Sequence, residues 1–217
     1  AIEAIVKDSS LTAGVNFGFA YWSAGASGFS RWIGDHTIGE GRANPCNSYN
    51  CLKVPIYKGG AAQIAGMIRT VNPGGGTHLD SAMRIASKYY KNTTYSPINK
   101  NFTCQNSYVI LIGDGDWFSH THTPGLKIVK NLFKKEKIKT FSIAFGTGIS
   151  PRGYKYFQAV AKAGGTGKSI VATTGASLTA QLKAKIGEII AEKLSFTAPA
   201  ITATIEKGGS LYQAQFD

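Results

Sequence analysis

The chain has 217 residues, about 1.4 domains by the length prior, so a single domain of ordinary size is expected. At 43% hydrophobic and 17% charged it can bury a sizeable core, which excludes a disordered tail, and 26 Gly with no period of three exclude a collagen-like rod. The +12 charge, from 24 Lys plus Arg against 12 Asp plus Glu, suits an anionic partner such as nucleic acid, glycan or phospholipid headgroups.

Residues 2 to 8 read as the last turns of a helix, with Ile2, Ile5 and Val6 on one side, and carry no signal-peptide pattern. VNFGFAYW (Val15 to Trp22) reads as a strand. From Ser23 to Asn50 the Gly, Ser, Asn and Arg content predicts a long surface loop, in which Phe29, Trp32 and Tyr49 are candidate contact residues. Its NPCNSYNC stretch allows a Cys46–Cys51 bridge, which implies an oxidising compartment and leaves Cys104 free or paired outside the chain. KVPIY (Lys53 to Tyr57) is an edge strand because of Pro55, and Ala61 to Val71 a helix.

NPGGGTHL is a Gly-rich turn, and Asp80 to Tyr90 continues it as a helix. YVILIGDGDW is a near-continuous apolar run of the kind buried in a parallel sheet, ending in Asp114, Gly115 and Asp116. Helix Gly125 to Glu136, strand Thr140 to Gly146, helix Tyr154 to Ala163, strand Lys168 to Thr173 and helix Ala176 to Leu194 follow. The alternation predicts an α/β fold with a mostly parallel sheet. Lys134, Lys135, Lys137 and Lys139 read as the wet face of an amphipathic helix rather than as a nucleic-acid platform. After Leu194 the rhythm turns β-rich, and no run approaches the ~18 apolar residues of a membrane span.

Ligands of open parallel sheets bind at the carboxyl ends of the strands. Thr77, in its turn before a helix, and Asp114, at a strand end, offer hard oxygen ligands there, suited to Mg²⁺ or Mn²⁺. The bland alternatives are a helix cap and a turn cap. AKAGGTGKS fails as a P-loop because Lys162 stands where Gly is needed. His120 and His122 with Asp116 could ligate a transition metal but read better as a polar rim loop. Neither a nucleophile in a catalytic setting nor a close carboxylate pair is present, so a binding module is expected rather than an enzyme.

GGGTHLDSAM and VILIGDGDW resemble the GGT-x-L-x-x-A-L turn and the I-L-L-T-D-G strand end of von Willebrand factor A domains. FSIAFGTGIS followed by FQAVAKAGG resembles that family's next strand and helix end. The resemblance covers roughly residues 1 to 195 and implies a Rossmann-like, mostly parallel sheet with helices on both faces and an insertion over 23–50. It also implies that Thr77 and Asp114 belong to a metal-ion-dependent adhesion site. More narrowly, TCQNSYVILIGDGD and SFTAPAITATIEKGGSLYQAQFD resemble the PilC/PilY type of type IV pilus tip adhesin, in which residues 196–217 would connect to a following β-rich domain. Implied with it are an extracellular, pilus-associated location, minor pilins of the tip as partners, and anionic host or environmental surface ligands.

The family's D-x-S-x-S loop, which should end a first central strand, has no good match. Asp8, Ser10 and Thr12 fit D-x-S-x-T, but they follow a helix and lie too near Val15 for a crossover. The first strand is therefore expected to be absent, in a chain that begins in mid-protein, leaving a strand-wide gap between residues 15–22 and 108–114. The rival readings are an A domain serving a metal-chelatase ATPase and a DNA-binding pilus component.

Overall fold

The computed structural model describes residues 1–22, 51–71, 77–93, 96–99, 101 and 105–194, except the side chains of Cys51 and of residues 192–194. The expected insertion over 23–50, the C-terminal stretch 196–217 and Cys104 lie outside the described residues.

Three apolar runs build a parallel sheet. Strands β3 (Tyr108–Gly113), β4 (Lys139–Phe145) and β5 (Ile170–Ala172) lie in that order, paired from Tyr108↔Lys139 to Gly113↔Ala144 and from Ile143↔Ile170 to Phe145↔Ala172. Helices α5 (Ser119–Glu136) and α6 (Pro151–Ala163) supply the crossovers that parallel pairing requires. Successive side chains point to opposite faces, so each strand feeds two cores. Leu111 and Ala144 meet Val129 and Leu132 of α5, Phe157 and Val160 of α6, and Met83 of α4 (Leu79–Lys91). Ile143 and Ala172 meet Leu178, Leu182 and Ile186 of α7 (Gly175–Leu194) and Ile5 of α1 (Ile2–Val6), with Ile110 and Ile112 packed alongside. The fold is α/β and Rossmann-like, a parallel sheet with helices on both faces.

The N-terminal elements form a separate ribbon. After α1 comes a one-turn helix α2 (Ser9–Thr12), then β1 (Phe17–Tyr21), β2 (Cys51–Tyr57) and α3 (Gly60–Met67), which tightens into a 3₁₀ turn over Ile68–Thr70. Strands β1 and β2 pair antiparallel, with irregularities between Phe17 and Phe19 and between Phe19 and Ala20. Pro55 lies on β2, whose only strand neighbour among the described residues is β1, as an edge proline requires. Gly60 is obligatory at the start of α3, because a Cβ there would lie 1.9 Å from the Phe17 carbonyl oxygen.

Two elements differ from the sequence reading. Helix α5 starts at Ser119 rather than Gly125 and carries Pro124 inside it. Proline removes only the bond to the His120 carbonyl, still close to the helix start, and the first turn is held by Thr121. Its hydroxyl donates to the Phe118 carbonyl at 2.7 Å and accepts from the Leu79 N–H at 3.2 Å. Helix α2 is additional, nucleated where the Asp8 carboxylate caps it by accepting from the Ser10 N–H at 3.1 Å.

Between the ribbon and the parallel sheet lies a gap. Among the described residues β1 pairs only with β2, and β3 with β4. Consecutive tyrosines near the end of α4 bridge it. The Tyr89 hydroxyl accepts from the Ile56 N–H of β2 at 2.7 Å, and the Tyr90 hydroxyl donates to the Tyr108 carbonyl of β3 at 2.9 Å. Burial pushes the pKa of both phenols up.

Candidate functional site

At the carboxyl end of β3 two chain segments are stitched together. The Thr77 carbonyl accepts from the Phe118 N–H at 3.1 Å, while Thr121 ties the start of α4 to the start of α5 as above. Helices α4 and α5 cross closely at Gly125, where a Cβ would fall 2.5 Å from Leu79 Cγ. The His78 ring meets Phe118 and His120 edge-on, each with centroids 5.2 Å apart.

The two carboxylates after β3 do different work. Asp116 turns to the loop between β4 and α6, where it accepts from the Ser150 N–H at 3.0 Å and from the Ser150 hydroxyl, with Arg152 at 4.0 Å. Ser150 in turn caps α6 by accepting from the Gly153 N–H at 3.1 Å. The fit is tight enough that a Cβ on Gly153 would lie 2.0 Å from Asp116 Oδ1. Asp114 is exposed, and its carboxylate makes no hydrogen bond or ion pair among the described residues.

Thr77 and Asp114 border one cavity of about 580 Å³, whose walls include Gly113, Trp22 and Phe145. The two residues that the sequence motifs single out thus line the same cavity. Their hydroxyl and carboxylate oxygens are hard donors that fit a divalent cation, but as two of the six ligands that Mg²⁺ takes. Among the described residues no group of three or more His, Cys, Asp or Glu is assembled to supply the others.

The remaining candidates are engaged elsewhere. His122 Nδ1 accepts from the Trp117 indole N–H at 3.1 Å, and its ring stacks on Tyr156 at 3.8 Å. Burial lowers its pKa. Asp116 is committed to Ser150, so the pair of histidines gains no carboxylate from it. Asp8 accepts from the Ser10 hydroxyl at 2.6 Å and from Lys183 Nζ at 2.7 Å, ties that hold it well below the usual carboxylate range, at about 2. Asp8, Ser10 and Thr12 therefore form a helix start and a link to α7. Cys46 and the contact candidates Phe29, Trp32 and Tyr49 lie outside the described residues, as does the Cys51 side chain, and with them the expected bridge.

Three features escaped the sequence reading: the Asp116–Ser150 lock, the Tyr89–Tyr90 bridge and Trp22, whose buried indole N–H has no partner among the described residues. The lock joins residues 34 apart and has no local signature. The adjacent tyrosines were visible, but only tertiary contacts give them separate targets.

No family model matches the chain, and no curated protein matches it. Two solved structures of proximal thread matrix protein 1 from the mussel byssus are similar to it. One has a TM-score of 0.36 and 19% identity over 66% of this chain and 30% of that chain. The other has a TM-score of 0.34 and 20% identity over 63% of this chain and 29% of that chain. The chain thus spans under a third of the length of these neighbours.

Proposed function

We propose that the chain is a non-enzymatic adhesion module that binds its ligand through a divalent cation held at Thr77 and Asp114. The observation that supports this reading is that these two residues, from separate segments, line one cavity. In a chain of net charge +12, an exposed carboxylate without a protein partner among the described residues is available to a cation. Mg²⁺ or Mn²⁺ would take the Asp114 carboxylate and the Thr77 hydroxyl and keep several waters. The cation would supply an open coordination position for an acidic group on the ligand. The motif resemblance extends the proposal to a von Willebrand A domain of a type IV pilus tip adhesin, outside the cell, with minor pilins as neighbours and anionic surfaces as ligands. Positive charge around such a site speeds encounter with them.

With only two protein ligands, the expected affinity is weak. Mn²⁺ added to the labelled chain should broaden the amide resonances around Thr77 and Asp114 before others, and Asp114→Ala should abolish that broadening. The variant should keep its fold, because the residue is exposed at the rim. Equal broadening in both proteins would reduce Asp114 to a turn residue and remove the cation reading.

A further inference from the structure

The positive charge of the chain is sorted between the two faces of the parallel sheet. Helices α5 and α6 lie side by side over one face, and they hold seven basic residues against one acid, Glu136. Glu136 itself faces Lys91 at 3.8 Å, and Arg152 faces Asp116 at 4.0 Å. The other six cations, Lys127, Lys130, Lys134, Lys135, Lys155 and Lys162, are exposed and make no ion pair among the described residues. The opposite layer is neutralised: Lys183 meets Asp8 at 2.7 Å, Lys185 meets Glu188 at 2.7 Å and Lys7 meets Glu3 at 2.6 Å. Like charges gathered on one surface repel and work against the compact state, and an anionic partner removes that repulsion.

The placement of these lysines describes the partner. Lys127, Lys130 and Lys134 recur at three and four residues, so they share the ridge of α5 that points away from buried Val129 and Leu132. Lys155 and Lys162, seven residues apart, share the side of α6 opposite Phe157 and Val160. Each row is about 10 Å long at the helical rise of about 1.5 Å per residue. Because α5 joins β3 to β4 and α6 joins β4 to β5, all parallel, the two helices run in the same direction. The rows therefore lie side by side at the roughly 8–10 Å of packed helices. The sequence shows each row alone; the fold makes them neighbours. A duplex nucleic acid presents the complementary pattern, two phosphate rows flanking a minor groove about 6 Å wide, whereas a single polysaccharide chain would occupy one row only. Single strands need exposed aromatic rings for base stacking, and a membrane-seated helix needs apolar side chains to bury. The exposed large hydrophobics among the described residues, Tyr57, Phe118 and Val171, all lie outside α5 and α6. Helix α5, hemmed by α4 and α6, cannot enter a major groove, so contact is to phosphates and independent of sequence.

We propose that the α5–α6 face binds duplex nucleic acid through its phosphates, without regard to base sequence and without a metal ion. This inference goes beyond the cation reading, since it depends on the lysines of two helices and not on Thr77 or Asp114. Its test is run in EDTA, so that the two fail separately.

The whole chain is titrated into a short, fluorescently labelled DNA duplex, with anisotropy as the readout. Affinity should fall at least about 100-fold between about 50 and 200 mM salt, as neutralising about four or more phosphates requires. Lys127→Gln, Lys130→Gln and Lys134→Gln together should lower the salt slope by about three and weaken binding to every duplex sequence alike. The charge-matched triple variant Lys7→Gln, Lys183→Gln, Lys185→Gln should change affinity less than about threefold, since charges across the sheet are screened beyond about 10 Å. Asp114→Ala should bind as the natural chain does. Equal losses in the two triple variants would reduce binding to net charge and overturn the proposal, as would a salt slope shallower than about two. Parallel titrations use heparin and vesicles of phosphatidylserine with phosphatidylcholine. Binding of either that requires Lys127, Lys130 and Lys134, with no binding of the duplex, would give the face to a glycan or a membrane and also overturn it.

Discussion

Strands β4 and β1 are similar in length, seven and five residues, and differ in what lies beside them. β4 has a parallel neighbour on each edge, and its Ile143 and Ala144 are fully buried. β1 has one neighbour among the described residues, an irregular register, and no residue classed as fully buried. β3 falls between them: its YVILIG is a near-continuous apolar run, yet Leu111 is its one buried residue, and even that is less completely buried than Ile143 or Ala144. Burial here follows the number of occupied edges rather than hydrophobicity. The N-terminal ribbon gains its core from Val54, Ala61 and Ile64 with Val6, a smaller cluster than either core of the parallel sheet.

The largest expected effect tests whether the parallel sheet is the more consolidated half. Phe157 is fully buried under Gly113 and against Trp117, with ring centroids 4.5 Å apart. Phe157→Ala should cost about 3–5 kcal/mol in urea unfolding. A loss below about 1 kcal/mol would break the contrast with β1. The next effect concerns the loops that close this half. Asp116→Ala leaves the Ser150 N–H and hydroxyl without their acceptor and should cost about 1–3 kcal/mol. Ser150→Ala should cost less, since Asp116 keeps the backbone bond; the reverse order would mean that the α6 cap matters more than the lock.

Acid should probe the other half more gently. Glu3 accepts from Arg69 at 2.9 Å and from Lys7 at 2.6 Å, which holds its carboxyl at about 2, and Asp8 is held at about 2 by Lys183 and Ser10. Depressed carboxyl pKa values stabilise the fold fully above the ordinary range near about pH 4 and are lost as pH falls towards about 2. Melting temperature measured between these limits should fall less steeply for the double variant Glu3→Gln, Asp8→Asn than for the natural chain. Parallel curves would show that these surface ties leave stability unchanged. His122, on the consolidated side, gives the finest test. Its proton should leave below the ordinary histidine value of about 6.5, so that the stability it lends is present above that value and declines as pH falls through the lowered one. Titration of its ring proton resonances checks this directly, and Trp117→Phe should move the midpoint by changing what the ring nitrogen accepts.

Most of the parallel half was legible because each strand is a short apolar run between helices of clear periodicity. The β3 residues Val109 to Ile112 and the α7 stripe Leu178, Leu182 and Ile186 lie where the pattern places them. The start of α5 was not legible, because Pro124 reads as a boundary and the Thr121 contacts that extend the helix past it come from distant residues. At the site, the Gly-rich turn and the strand-end aspartate pointed to Thr77 and Asp114, since both motifs are local. The sorting of Asp114 from Asp116 was not readable, because it depends on Ser150 arriving from the next crossover.

The tyrosine pair on α4 gives the gap a property of its own. Neighbouring residues on a helix project in directions about 100° apart, so one turn of α4 can grip Ile56 on one side and Tyr108 on the other. The spacing of the two sheets is then measured by a helix, like the jaws of a caliper, and not by whatever lies between them. Removing one hydroxyl, as in Tyr90→Phe, would loosen one jaw, and the two sheets would then be held by Tyr89 alone on this helix.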